Sequence, residues 1–314
     1  ILTVLSFIIA FFENIIGIHL HSLIGYADYN MFVNDIDPQG NYGLNWSFES
    51  QASNPRYASF FADPLEFSAS LILFFSVGLW YYLHSKLRNN KIIYIGLIFI
   101  VFCSFLLALS RGAILAAILV LCFGLFISKN YKTLFTGLSF VLIVFLYNLF
   151  FASEDTRYLI EDTLTFQNTS SLGHLIEWIN GIEAMAAKPL GMGLGESGRV
   201  SVALKENIGG ENQMIIIGVQ TGVLGLLLYL TITISIIREG VKNLRNATAQ
   251  HWKIILAVVL FKIGLIIPLF TAEIDSYIYV SYITWFLTGY MINIIQSPKE
   301  QVNIVSSTNP IMAI

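Results

Sequence analysis

Charge is scarce in this sequence. Its 314 residues hold 17 Lys and Arg and 20 Asp and Glu, 12% charged in all, where a soluble domain carries about 25%. With 56% hydrophobic residues and a mean hydropathy of +0.71, that shortage excludes a soluble globular protein and leaves an integral membrane protein. No basic tail accompanies the formal net charge of -3, so no nucleic-acid partner is read. Cysteine is equally rare. Cys103 and Cys122 both fall inside apolar runs, where a structural thiol is the reading rather than a disulfide or metal ligand. No HExxH-type spacing occurs, so no metal site is expected. The alternating ten-residue strands of a membrane barrel are missing too, which leaves helices.

What the sequence does have is apolar runs of about 20 residues, enough to cross a hydrocarbon core of about 30 Å as a helix. The fold class is therefore an all-α integral membrane protein, a single multi-span helical bundle over residues 1–314. About eight spans are expected, at 1–23, 65–84, 92–109, 112–127, 133–152, 213–237, 253–272 and 276–295. The chain opens at Ile1, without Met and already inside an apolar run, so N-terminal truncation is the expectation and no signal peptide is read. The connections "HSKLRNNK" at 84–91, "SKNYK" at 128–132 and "REGVKNLR" at 238–245 are basic, which assigns them to the cytoplasmic side. Alternation then puts a first external loop at 24–64, a large external loop at 153–212 and the short "TAEID" at 271–275 on the outer face.

The first external loop has a loop's composition and little helical periodicity. Within the second, Leu172, Leu175, Ile176, Ile179, Ile182 and Met185 recur at helical spacing before Pro189. That pattern predicts an amphipathic helix lying on the outer membrane surface or capping a cavity. The Gly-rich "LGMGLGESG" after it contains a formal GxGxxG match. It follows a surface helix rather than a strand, so it is not a dinucleotide site.

Several side chains stand out against this background. In "LALSRGAILAAILVL", residues 107–121, Arg111 interrupts an apolar sequence at a tight outer-face turn. One reading is a guanidinium snorkelling to headgroups. The other joins Arg111 to Arg56 and Arg157 on the same side, where guanidinium groups suit a diphosphate through forked, charge-assisted hydrogen bonds. In "GGENQMIIIGVQTGVLGLLLYL", Glu211 and Asn212 open the span beginning near 213. They either cap that helix, or Glu211, its pKa raised by burial, takes a proton from an acceptor hydroxyl. His174 and Glu177 lie three apart, hence on one face, as a solvated stripe or an acceptor-binding face. Glu13, His19, His21 and Lys262 are ionisable groups in or beside spans. Such residues are functional hypotheses by default; Glu13 and Lys262 could pair across the bundle, and a proton-coupled transporter would use this whole set, the histidines included.

Four stretches, taken in order, resemble the O-antigen ligase and polymerase family of bacterial membrane glycosyltransferases: "PRYASFFADPLEF" at 55–67, "LSRGAILAAILVL" at 109–121, "KPLGMGLGESG" at 188–198 and "ENQMIIIGVQTGVLGLLLYL" at 211–230. The resemblance implies a glycosyltransferase of the C type with a large external loop. It would be a multi-pass protein of the bacterial cytoplasmic (inner) membrane, with its active site facing the periplasm or exterior. Its donor would be an undecaprenyl-diphosphate-linked oligosaccharide, drawn from membrane lipid, with no cofactor, metal or nucleotide sugar and with inversion at the anomeric carbon. A flippase and a chain-length co-polymerase are the partners it implies. By the same resemblance Arg111 and Arg56 hold the donor pyrophosphate, and Glu211 stands where many members, the ligases especially, carry histidine. The reading is a polymerase of O-antigen, capsule or exopolysaccharide. A ligase acting on lipid A core or protein, and an ion-coupled transporter, are the alternatives.

Overall fold

The computed structural model describes residues 1–34, 40, 43–50, 54–84, 88–151, 169–198, 201, 208–245, 247 and 249–296. Its helices are α1 Leu2–Ile16, α2 Leu20–Leu23, α3 Tyr26–Asn34, α4 Pro64–His84, α5 Arg88–Leu107, α6 Arg111–Ile127, α7 Tyr131–Phe151, α8 Thr169–Ala187, α9 Gln213–Leu244, α10 Ala249–Thr271 and α11 Ile278–Gln296, with short 3-10 turns at Trp46–Phe48 and Ile274–Ser276. Among the described residues the only β pairing is an isolated bridge between Glu49 and Pro55. The described residues are all-helical, and seven of the eight expected spans coincide with a helix, whereas 1–23 is divided at Gly17 into α1 and α2. Four are long and apolar enough to cross a membrane by length and composition, namely Pro64–Leu83, Gln213–Leu244, His251–Thr271 and Ile278–Gln296. Leu2–Ile16, Lys91–Leu107 and Arg111–Ile127 are shorter apolar helices. The chain is a multi-pass membrane protein.

Lipid tails are as apolar as leucine, so helices in a bilayer associate by close packing rather than by escape from water. The centre of the bundle shows how. Ala113, Ala116, Ala117, Val120 and Gly124 form a buried small-residue stripe along α6. A side chain added at Gly124 would meet Leu79 of α4 and Leu260 of α10, and one at Gly264 of α10 would meet Ile72 of α4 and Val120. The three helices α4, α6 and α10 thus interlock as the core, while α1 packs on α5 and α11 on α10.

The segment expected as irregular loop differs. Tyr26–Asn34 is helical, because Tyr26 and Ala27 pack on a small buried cluster of Leu44, Phe48 and Ala58; that contact overrides a weak local pattern. Helix α8 forms where the periodicity predicts it. Leu172, Leu175, Ile176, Ile179 and Ile182 are exposed, whereas Met185 packs against Gly218 of α9. The apolar face of α8 therefore points away from the protein, the arrangement of a helix whose solvent is lipid.

Helix α9 is broken. Gly222 has φ 78 and ψ 178, a conformation that interrupts the helix and is open in practice to glycine alone. In lipid the freed backbone groups have no water to turn to. The Gly-rich loop satisfies them: Val223 N–H donates to Pro189 O at 3.0 Å, Met192 N–H to Val219 O at 2.8 Å and Gly193 N–H to Gln220 O at 3.1 Å. The Gln220 side chain completes the seam by donating to Ser197 O at 2.8 Å. A Cβ at Gly222 would stand 2.6 Å from Leu190 C and 2.8 Å from Gly191 N. Gly222→Ala should therefore lower stability by at least the ~1–3 kcal/mol of the strained backbone, read as a fall in melting temperature in detergent. Gly137→Ala, where a Cβ meets nothing within 4 Å, is the control; equal melting of the two variants would contradict the seam.

Candidate functional site

The site begins at the turn between α5 and α6. Leu109 takes a positive φ of 46 there, and Ser110 caps α6 by accepting from Ala113 N–H at 3.3 Å. Arg111, the first residue of α6, is exposed at that turn. The last carbonyls of α5 lack helical donors, and the chain around Arg56 supplies them. Arg56 Nε donates to Ala108 O at 2.9 Å, and Tyr57 N–H donates to Leu107 O at 3.1 Å. Arg56 is thereby fixed against the turn that carries Arg111. Burial pushes the pKa of the Arg56 guanidinium down and the like charge of Arg111 adds to this, while Asp63, Tyr277 and Glu211 oppose it. An arginine remains cationic throughout. Asp63 itself is buried and accepts from Glu66 N–H at 2.8 Å at the start of α4.

Across from the cations stands the mouth of α9. Asn212, not Glu211, is the cap: its side chain accepts from Met214 N–H at 3.0 Å and Ile215 N–H at 3.3 Å. Glu211 is left half-buried just outside the helix, within electrostatic reach of Arg56 and His174. Helix α8 lies over this mouth because glycine lets it. A Cβ at Gly210 would overlap the Glu177 carboxylate, and one at Gly181 would stand 2.9 Å from Gly209 Cα. His174 Nδ1 lies 3.8 Å from Glu177 Oε2, an ion-pair distance longer than a hydrogen bond. Glu177 is the main cause that raises the His174 imidazole above its usual 6.5. Burial opposes the rise, Glu211 adds to it and Arg111 works against it.

The structure thus gathers Arg56, Arg111, Glu211, Asn212, His174 and Glu177 at one end of the bundle, from four separate parts of the chain. Arg157 lies outside the described residues. A Glu13–Lys262 pair is not formed. The Glu13 carboxylate accepts from Leu20 N–H at 2.7 Å and Ser59 N–H at 3.0 Å, and Lys262 Nζ lies 4.1 Å from the centroid of the Trp285 ring. Each satisfies its buried charge locally. Asp63 and Tyr277, which face Arg56, were not singled out in the sequence. Tyr277 follows "TAEID", a polar turn too short to show periodicity. Among the described residues no group of three His, Cys, Asp or Glu could hold a metal ion.

Residues 96–230 match the model of the O-antigen ligase family. The chain is similar to an O-antigen polymerase of Salmonella muenchen, 31% identical over 140 residues. The aligned part is 41% of this chain and 34% of that protein, so the chain spans about a third of the relative's length. The family match takes in Arg111, His174, Glu177, Glu211 and Asn212, whereas Arg56 and the α10–α11 connection fall outside it.

The raised His174 value has a sign. A histidine stabilised as its cation contributes fully below its unfolded value near 6.5, and that contribution is lost as pH rises through the folded value. Thermal melts between about pH 6 and pH 8.5 should show a wild-type loss of stability that His174→Gln lacks. Parallel profiles for the two proteins would remove the pair from the account.

Proposed function

We propose that the protein is a polysaccharide polymerase that joins undecaprenyl-diphosphate-linked repeat units at the outer face of the bacterial cytoplasmic membrane. The observation that carries this reading is the meeting of two guanidinium groups, Arg56 and Arg111, with one carboxylate, Glu211, at a single end of a membrane bundle. The cations take the donor diphosphate, and the carboxylate takes the acceptor proton. An acceptor hydroxyl oxygen bonds to the anomeric carbon from the face opposite the diphosphate. The bond from that carbon to the phosphate oxygen breaks, and the lipid diphosphate leaves with the electron pair. The hydroxyl proton passes to Glu211. Charge grows on the leaving group, so Arg111 and Arg56 act mainly in the transition state. No step requires a metal. The exposed apolar face of α8 sits in the outer leaflet, with His174 and Glu177 turned toward the acceptor sugars.

Polymerase is preferred to ligase because the curated relative is named a polymerase and because Glu211 replaces the histidine that ligases carry. The transporter reading loses its main support, since Glu13 and Lys262 each have other partners. A flippase that delivers the donor and a co-polymerase that sets chain length are the partners this activity calls for.

Arg111→Ala should reduce polymer formation by on the order of 10²–10³-fold with the protein still inserted, and Glu211→Gln should abolish it. The measurement is a gel of surface and lipid-linked glycans. Loss of the ladder with single repeat units still made is the expected outcome. Long chains stranded on the carrier would instead mean ligase, and normal ladders in both variants would overturn the diphosphate and base assignments.

A further inference from the structure

The connection between α10 and α11, outside the family match, reaches the Gly-rich loop, Arg56, the start of α4 and the start of α9. The Glu273 carboxylate packs against Gly198, where a Cβ would come within 2.9 Å of it. Tyr277 lies beside Arg56, and Tyr279 N–H donates to Glu66 Oε1 at 3.2 Å. Asp275 makes two kinds of contact at once. Its backbone N–H donates to Gln213 Oε1 at 2.9 Å, two residues beyond Glu211. Its side chain lines one cavity with Tyr229, Lys262, Thr233, Ser281 and Thr284, where the carboxylate faces the Tyr229 hydroxyl and the Lys262 ammonium.

Gln213 and Tyr229 are both on α9, sixteen residues apart. A straight helix would separate them by about 24 Å, more than one aspartate with two side-chain contacts can span. The break at Gly222 folds the two arms toward each other, and Asp275 closes the angle between them. The carboxylate has a reason to stay. Lys262 is 6% exposed, and a buried ammonium needs a counter-charge as well as the Trp285 ring.

We infer that Asp275 is a positioning residue: anchored through its carboxylate by Lys262 and Tyr229, it holds Gln213 through its backbone and so fixes the Glu211–Asn212 mouth of α9. The inference deepens the polymerase reading, and it rests on that reading only for its effect on turnover.

Hydrogen exchange by mass spectrometry on the full chain in nanodiscs tests the clasp without substrate. In Asp275→Ala the amides of residues 215–219 should exchange about tenfold faster, with those of α6 unchanged. Asp275→Asn should behave similarly, because it leaves the buried ammonium uncompensated. The double variant Asp275→Asn with Lys262→Met removes both charges and keeps an acceptor for Tyr229, so it should recover most of the protection. In a polymerisation assay Asp275→Asn should lower kcat and leave the donor KM unchanged, with the double variant partly rescuing kcat. Wild-type exchange at 215–219 in Asp275→Ala, or a double variant as impaired as Asp275→Asn, would overturn the clasp. Faster exchange in Asp275→Ala combined with unchanged surface glycans in cells lacking the gene would keep the clasp and remove the polymerase reading.

Discussion

A helix can be broken inside a membrane only if protein supplies the hydrogen bonds that water cannot. Everything at the site end of this bundle follows from how the break at Gly222 is filled. The Pro189–Gly193 backbone occupies it, which fixes the Gly-rich loop, and the loop in turn fixes Ser197 and Gly198 beside α9 and Glu273. The short arm from Gln213 to Thr221 is then free to take a direction different from the rest of α9. Its N-terminus presents Asn212 and Glu211 beneath α8. Without the break, Gln213 and Tyr229 could not both reach Asp275.

Gly191 of the Gly-rich loop is hence explained without a phosphate. A nucleotide loop uses glycine so that a ligand can approach the backbone. Here the backbone being approached is that of a neighbouring helix, and Gly191 meets Gln220 O and Gly222 N at distances that leave no room for a side chain. The same residue type serves the same geometric need with a different partner.

The spans were legible because hydropathy over about 20 residues is a collective signal that no single contact can override. Helix α8 was legible from its period, and a helix forms at Thr169–Ala187. Arg56, Arg111 and Glu211 could be named one at a time; their meeting could not, since it depends on a hydrogen bond between residues 56 and 108 and on the seating of Gly210 under Glu177. Helix α3 was missed because tertiary contact with Phe48 decides it. Asp275 was visible only as part of a polar turn, and its role arises from α9 and α10 converging on it. The imagined Glu13–Lys262 pair failed for the opposite reason. Two buried charges in one bundle suggest each other, but backbone N–H groups compensate Glu13, and Asp275 together with the Trp285 ring compensates Lys262.

Arg111 remains the residue whose placement costs most. It stands at the N-terminus of α6, the positive end of the helix dipole, where a cation is disfavoured. A second guanidinium, Arg56, is held beside it by a carbonyl at the C-terminal end of α5. Glu211 and Asp63 compensate only in part, for Glu211 also faces His174 and Asp63 also caps α4. A fold selected for stability alone would place an anion or a polar group at that first turn. Local rules broken in this way mark sites held ready for a ligand, and the ligand that relieves two cations and a helix N-terminus together carries more than one negative charge. The diphosphate of a lipid carrier, the donor in the proposed reaction, has that charge.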